Sequence, residues 1–379
     1  ECSGEFVVGG SGYPTMQAAV NAAPASGATV SVGPGTYTGM SVDLSGKSVT
    51  LRSIAGPAAT ILDGTGLAGP IVRILDAGAD GATITGFTFR NGSAGEGVAP
   101  NRRGGAIFAD AGSADSVVVN IYSCVFESNS ADLGGAVYGR RLVSTVQACD
   151  FRGNDATLGG ALFLEGGSWV VRVTSIAGGT ADRGGAIYAN APITGFVTLS
   201  SLSDNSAGEG SAIYFAQTIA SPLVVTNSQV EFNTGAAGAA LQSASGVPIQ
   251  IASVRFCGNE PADLEGPVTD LGFNTFSSDC NGNGICDAEE LQTGLVTDCN
   301  GNGLPDSCDI DAGAPDINGN GAIDDCERLG DIDGDGFVGA ADLALMLTAW
   351  GSSNADADLS GDGLVSGQDI AILLQRWGL

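Results

Sequence analysis

Histidine is absent from this 379-residue chain, and Lys47 is its only lysine. Without imidazole, histidine-based nucleophilic, acid–base and metal chemistry is excluded. Aromatic residues make up only 6% of the chain, which suits thin, regular coils. No apolar run is long enough to cross a bilayer as a helix. Positive charge is scarce too, with 14 Lys and Arg against 42 Asp and Glu and a net charge of −28. From Asp279 onward there are 20 acidic residues and 2 basic ones. A tail of that kind repels nucleic acid and anionic membranes and attracts divalent cations. No signal peptide is visible, and Glu1 with no Met before it reads as a processed start. The expectation is a secreted, extracellular or cell-surface protein.

What the chain does have is glycine, 60 residues of it, and a repeat. Cys124-Val-Phe-Glu-Ser-Asn129 leads to Gly134-Gly-Ala-Val-Tyr138, and Cys149-Asp-Phe-Arg-Gly-Asn154 leads to Gly159-Gly-Ala-Leu-Phe163. Ser175-Ile-Ala-Gly-Gly179 leads to Gly184-Gly-Ala-Ile-Tyr188, and weaker copies begin at Gly104, Gly210 and Gly238. The asparagine recurs at Asn129, Asn154, Asn205, Asn233 and Asn259, with Gly179 in its slot once. A period near 25 residues, rich in glycine and β-branched side chains, describes the coils of a parallel β-solenoid. Equivalent residues then stack about 4.8 Å apart. In that register Phe126 lies over Phe151, Glu127 over Arg152, and Arg183 over Glu209, like beside like and opposite charges one rung apart.

At this length the chain holds one to three domains. Five of the nine cysteines, Cys280, Cys286, Cys299, Cys308 and Cys326, crowd together among Asp and Asn. Hard oxygen neighbours argue for disulfides in an oxidising compartment rather than for a thiolate metal site. The odd total leaves at least one cysteine free or bonded to another chain.

In chain order, Gly9–Thr15 reads as a loop leading into a short helix over Met16–Ala23, started by Pro14 or Thr15, with Met16, Ala19, Val20 and Ala23 at helical spacing. Strands are predicted at Thr29–Val32, Ser48–Arg52, Thr60–Leu62, Ile71–Leu75 and Thr83–Phe89. Such a helix would cover the open edge of the first coil. Tyr13-Pro-Thr-Met-Gln-Ala-Ala-Val-Asn-Ala-Ala23 and Val32-Gly-Pro-Gly-Thr-Tyr-Thr38 resemble the entry of pectin-lyase-like right-handed β-helix proteins. The Phe-x-x-Asn … Gly-Gly-Ala-Ile units resemble repeats of bacterial polymorphic outer-membrane proteins. The resemblance covers roughly residues 5–275 and implies a fold that hosts lyases, hydrolases, adhesins and filaments alike.

Two features of the solenoid bear on function. Asp132 and Asp182 share a column two rungs apart, about 10 Å, with Thr157 between them; Asp155 could approach at the corner, and Arg140-Arg141 could supply positive charge. A two-carboxylate hydrolase needs its acids at a defined separation, and no adjacent-rung acidic cluster stands out, so no catalytic residue is assigned. The column Phe108, Tyr138, Phe163, Tyr188, Tyr214 is either an internal or half-buried ladder or an exposed strip for sugar rings or a protein.

After Phe276 the pattern changes. Three loops carry oxygen side chains at positions 1, 3, 5, 9 and 12 with glycine at 6, as a calcium loop requires. The first has Asp279, Asn281, Asn283, Asp287 and Glu290; the second Asp298, Asn300, Asn302, Asp306 and Asp309; the third Asp316, Asn318, Asn320, Asp324 and Glu327. With cysteines interleaved and helices largely missing, residues 276–328 resemble thrombospondin type 3 repeats, where calcium takes the place of a hydrophobic core. Asn at positions 3 and 5 lowers the ligand charge.

The last segment is a 27-residue tandem repeat. Asp331, Asp333, Asp335 and Asp342 open onto Leu343–Trp350; Asp358, Ser360, Asp362 and Asp369 open onto Ile370–Trp377. Loop then apolar helix, twice, closely resembles a type I dockerin over residues 329–379. Dockerins grip cohesin modules through their helices, but Ala340-Ala341 and Gly367-Gln368 stand where a short polar pair would be expected. Position-7 carbonyls of Ile285, Leu304, Ala322, Phe337 and Leu364 would complete the five sites.

The sequence thus predicts a mainly β chain in three parts: a right-handed parallel β-helix over 1–275, a calcium connector over 276–328, and a dockerin-like module over 329–379, with about five calcium ions. The first functional expectation is an extracellular structural or adhesive protein, joined head to tail through the C-terminal module to another copy of itself, or otherwise to a cohesin-like module. The competing one is a polysaccharide-active lyase or glycoside hydrolase with a dockerin for scaffold attachment.

Overall fold

The computed structural model describes residues 6–75, 81–94, 102–112, 116–190, 194–216, 221–244, 246–316, 321, 323 and 329–378. It divides into two compact units, one ending at Phe276 and one running from Ser277 to Leu379.

The first unit is a parallel β-solenoid of about 8 turns. Its strands fall into sheets of 12, 10, 9 and 5 strands, and the five-stranded one appears only where the 25-residue repeat adds a side to the coil. Register follows the sequence columns. Leu51, Ile84, Ile121, Val146, Val171, Val197, Val225 and Ile251 are opposite one another in successive coils of the first sheet. All are buried, each contributing about 1.5–3 kcal/mol relative to exposure. Phe126 stacks on Phe151 with ring centroids 4.5 Å apart. Arg152 reaches Glu127 at 3.6 Å and Arg183 reaches Glu209 at 2.6 Å, the ion pairs expected from the repeat.

Corners are made by left-handed backbone. Gly134 and Gly159 have φ of 64° and 68°, and a Cβ on either would sit 2.1–2.2 Å from a carbonyl oxygen. At another corner the same conformation is carried by Ser123, Ala148, Val173 and Leu199, with φ between 50° and 53°. Non-glycine residues there cost roughly 1–2 kcal/mol each, offset by side-chain hydrogen bonds from the residue that follows.

The recurring asparagines form a ladder, with Asn129, Asn154, Asn205 and Asn233 buried and Asn259 partly so. Asn129 Nδ2 donates to Asn154 Oδ1 at 3.0 Å, and Asn205 and Asn233 repeat the bond to Asn233 and Asn259 at 2.9 Å. Gly179 interrupts it because the backbone has closed on the slot, where a Cβ would lie 2.2 Å from the Gly185 carbonyl oxygen.

The aromatic column is a covered ladder, buried at Phe108, Tyr138, Phe163 and Tyr214 and half-buried at Tyr188. Phe108, Tyr138 and Phe163 form a small core of their own, packed against Leu75, Leu133, Leu158 and Tyr188. Neighbouring rings from Phe108 to Tyr214 stack 5.0–5.4 Å apart. The guanidinium groups of Arg103 and Arg183 cover Tyr138 and Tyr214.

At the N-terminal end, helix α1 (Met16–Ala22) buries Met16, Ala19 and Val20, and Thr15 Oγ1 caps it by accepting from Ala18 N at 3.1 Å. Two local expectations are corrected here. Gly9–Thr15 is not a loop: Ser11–Tyr13 is a strand antiparallel to Phe6–Val8, because Gly9 and Gly10, with φ of 58° and 81°, supply a two-residue hairpin turn. Thr83–Phe89 is not one strand, since Gly86 at φ 81° breaks it into Ala82–Thr85 and Thr88–Arg90. At the far end Leu264–Glu265, Val268–Asp270 and Thr275–Ser277 are each the last strand of a sheet.

The second unit contains four short helices among its described residues: α2 (Asp287–Thr293), α3 (Asp306–Asp311), α4 (Ala340–Thr348) and α5 (Gly367–Gln375). The connector is therefore more helical than expected, because the position-9 aspartates Asp287 and Asp306 begin helical turns. Cys280 is bonded to Cys308, while Cys257, Cys286 and Cys299 are disulfide-bonded as well. Cys2 and Cys326 lie outside the described residues.

Candidate calcium loops and docking module

Glycine stands at position 6 of all five loops in the same left-handed conformation, with φ of 82° at Gly284, 88° at Gly303, 89° at Gly321, 89° at Gly336 and 88° at Gly363. The position-1 carboxylate folds inward and accepts from that glycine: Asp279 at 2.9 Å, Asp298 at 2.9 Å, Asp316 at 3.1 Å, Asp331 at 2.9 Å and Asp358 at 2.6 Å. Position 5 then accepts from the position-7 N–H, as Asn283 from Ile285, Asn302 from Leu304, Asp335 from Phe337 and Asp362 from Leu364. Asn281, Asn300 and Asp333 accept from position 5, and Ser360 instead donates to Asp358 at 3.2 Å. In the third loop Asn318, Asn320, Ala322, Asp324 and Glu327 lie outside the described residues.

The two kinds of loop differ in what closes them. In the first two loops the amides at positions 3 and 5 converge on the position-12 carboxylate. Asn281 and Asn283 donate to Glu290 at 3.0 and 2.6 Å, and Asn300 and Asn302 donate to Asp309 at 2.8 and 2.9 Å. Position 9 is buried, Asp287 accepting from Cys280 N at 3.1 Å and Asp306 from Cys299 N at 2.8 Å.

In the C-terminal repeat the position-12 carboxylate is buried and accepts from backbone N–H groups instead. Asp342 accepts from Ile332, Asp333 and Gly339 at 2.7, 3.1 and 2.6 Å; Asp369 accepts from Ser360 and Ser366 at 2.9 and 2.7 Å. Burial alone would raise both carboxyls, but these bonds more than reverse it and hold them below 3.8. Both therefore cap helices as well as closing loops; Ser366, whose hydroxyl accepts from Gln368 N, forms a capping box with Asp369, whereas Gly339 has no side chain and only Asp342 contributes there.

Calcium fits the fourth loop on its own geometry. Carboxylate oxygens of Asp331, Asp333 and Asp335 lie within 4.8 Å of one another. Three like charges at that spacing favour a hard divalent cation with oxygen ligands. With an ion bound, Asp331, Asp333 and Asp335 would hold it.

The helices that follow pack as a duplicated pair. Met346 and Leu373, equivalent in the repeat, are fully buried with Leu329, Val338, Leu359 and Val365. Leu343, Ile370 and Ile372 are partly buried. Leu345, Leu347, Trp350, Leu374 and Trp377 remain 41–53% exposed, so about half of the apolar helix residues are free for a partner.

On the solenoid, Asp132, Asp155, Thr157, Thr180 and Asp182 do line one groove, of about 510 Å³. Asp132 is paired with Arg102, and Asp155 accepts from Thr180. Arg140 pairs with Asp110 at 2.8 Å, away from these acids, and the cation seen to pair with Asp132 is Arg102.

Residues 329–376 match the family model of the dockerin type I domain. No curated protein and no solved structure matches the chain. The chain thus carries a dockerin type I domain at 329–376, which implies attachment to a cohesin partner or scaffold.

Proposed function

We propose that the chain is an extracellular β-solenoid displayed on a cohesin-bearing scaffold, with its dockerin domain ordered by calcium. The observation that carries this reading is the duplicated loop and helix, where three convergent carboxylates at Asp331, Asp333 and Asp335 precede helices that leave Leu347, Trp350, Leu374 and Trp377 exposed. Calcium holds the loops, the loops set the helices, and the helices present the apolar face. The other four loops repeat the same fold and take one ion each, five in all. The solenoid, repetitive along its length, acts as the structural or adhesive part. A cohesin replaces a second copy of the chain as the first partner, since the family match names a docking module.

The test is titration of the full chain against type I cohesins by calorimetry, with calcium and with excess chelator. Binding that appears only with calcium supports the reading. A chain that binds no cohesin but sediments as calcium-dependent oligomers returns the self-assembling fibre expected from the sequence.

The groove at Asp132, Asp155 and Asp182 favours a second reading, a polysaccharide-active enzyme brought to its substrate by the dockerin. Its test is release of soluble sugars from a panel of acidic and neutral polysaccharides, abolished by Asp155→Asn.

A further inference from the structure

The corner after the first sheet carries a column of small side chains, Cys124, Cys149, Thr174, Ser200 and Ser228. In the last three rungs a hydroxyl does two things. Thr174, Ser200 and Ser228 donate to the carbonyl two residues back at 2.9, 2.8 and 2.8 Å. They also accept the backbone N–H of the preceding rung, from Cys149, Thr174 and Ser200, at 3.4, 3.2 and 3.2 Å. The first two rungs put sulfur where this corner uses oxygen. Cys124 and Cys149 are free, the two free cysteines among the described residues, although Cys257, Cys280, Cys286, Cys299 and Cys308 are all disulfide-bonded.

Their geometry is that of a pair. Both thiols donate to the carbonyl two residues back, Tyr122 and Gln147, at 3.3 Å, so they share an orientation and stand one rung apart. The strands that follow are in register, Val125 opposite Asp150. Consecutive rungs place the two Cα atoms about 4.8 Å apart, inside the span that a disulfide bridges. The side chains are buried, 1% and 3% exposed, yet both residues line one open groove of about 390 Å³ together with Ser123, Ala148 and Val173.

We propose that Cys124 and Cys149 are a latent disulfide site that joins two consecutive coils by exchange with a small-molecule disulfide. One thiol loses its proton and attacks the small disulfide, expelling a small thiolate and leaving a mixed disulfide. The second cysteine, turned by one χ1 rotation, loses its proton and attacks the protein sulfur of that mixed disulfide, expelling the second small thiolate. Two S–H bonds become one S–S bond, and the two electrons reduce the small disulfide to two thiols. Burial pushes both thiols up, Cys149 to about 12, so thiolate is scarce, exchange is slow and the reduced pair persists.

The calcium-loaded full chain is incubated with oxidised glutathione, quenched, unfolded, alkylated with iodoacetamide and mapped by mass spectrometry. The expected result is an intramolecular cross-link between the Cys124 and Cys149 peptides, with alkylation lost at both. Cys124→Ser and Cys149→Ser keep the fold, since serine already occupies this column at Ser200 and Ser228, and each leaves the remaining cysteine uncross-linked. Full alkylation of both cysteines in the treated wild type overturns the proposal. So does cross-linking of either one to a second chain or to a different cysteine.

Discussion

Trp169 and Gly195 occupy neighbouring rungs of one inward column, and the indole fills the space that the glycine leaves. A Cβ at Gly195 would come within 2.8 Å of Trp169 Cζ2 and 3.1 Å of Leu223 Cδ1. Gly195→Val therefore overpacks the core by about 1–3 kcal/mol, and Trp169→Ala opens a cavity costing about 3–5 kcal/mol. Both should lower the thermal midpoint of the solenoid while calcium content, read by metal analysis, stays unchanged.

Asn154→Ala removes the acceptor for both the backbone N–H and the side-chain amide of Asn129. Leaving buried donors unmade costs about 1–3 kcal/mol each. The urea midpoint should fall by a corresponding amount. An Asn154→Ala midpoint equal to that of the parent would show that the ladder adds nothing.

Asp63 is the clearest pH-sensitive group of the solenoid. Burial alone would raise it, but hydrogen bonds from Thr65, Arg90 and Asn91 reverse this and hold it well below 3.8. A carboxyl depressed in the folded state adds stability above its unfolded value of about 3.9 and loses it as pH falls through the folded one. Asp63→Asn should therefore flatten the acid limb of stability against pH below about 4 and lower stability at neutral pH.

Chelation should unfold the second unit and spare the first. The solenoid buries continuous aliphatic columns, whereas the connector is held by the Cys280–Cys308 bond and loops of Asn and Asp. Proteolysis in chelator is expected between Asp279 and Glu327, with residues up to about 270 protected. Simultaneous loss of the solenoid's β signal would contradict this.

Docking should depend on exposed side chains separately from folding. Trp350→Ala and Trp377→Ala remove rings that are 52% and 45% exposed, so helicity and calcium binding should hold while cohesin affinity falls at least tenfold. Asp331→Asn with Asp333→Asn should act the other way round, through loss of calcium first. Retained affinity in the double tryptophan variant would place the docking face elsewhere.

Much of this was legible in the sequence because a solenoid repeats its environment. Each column in Ser123–Ala189 meets its own kind one rung away, so Phe126 over Phe151 and Arg183 over Glu209 could be read from spacing alone. The Asp- and Asn-rich loops were legible for a similar reason, since a short-range turn fixes glycine at position 6. The dockerin repeat was legible from both.

Only the tertiary structure decided what lies between columns. Whether the ladder from Phe108 to Tyr214 is covered depends on Leu133 and Leu158 of another sheet and on Arg103 and Arg183. That Arg102, and not Arg140, serves Asp132 depends on which side chains a corner turns toward each other. Gly195 beneath Trp169 follows the same rule: a residue's periodicity assigns its column, but the space it must fill is set by the neighbours that the coil brings in from elsewhere.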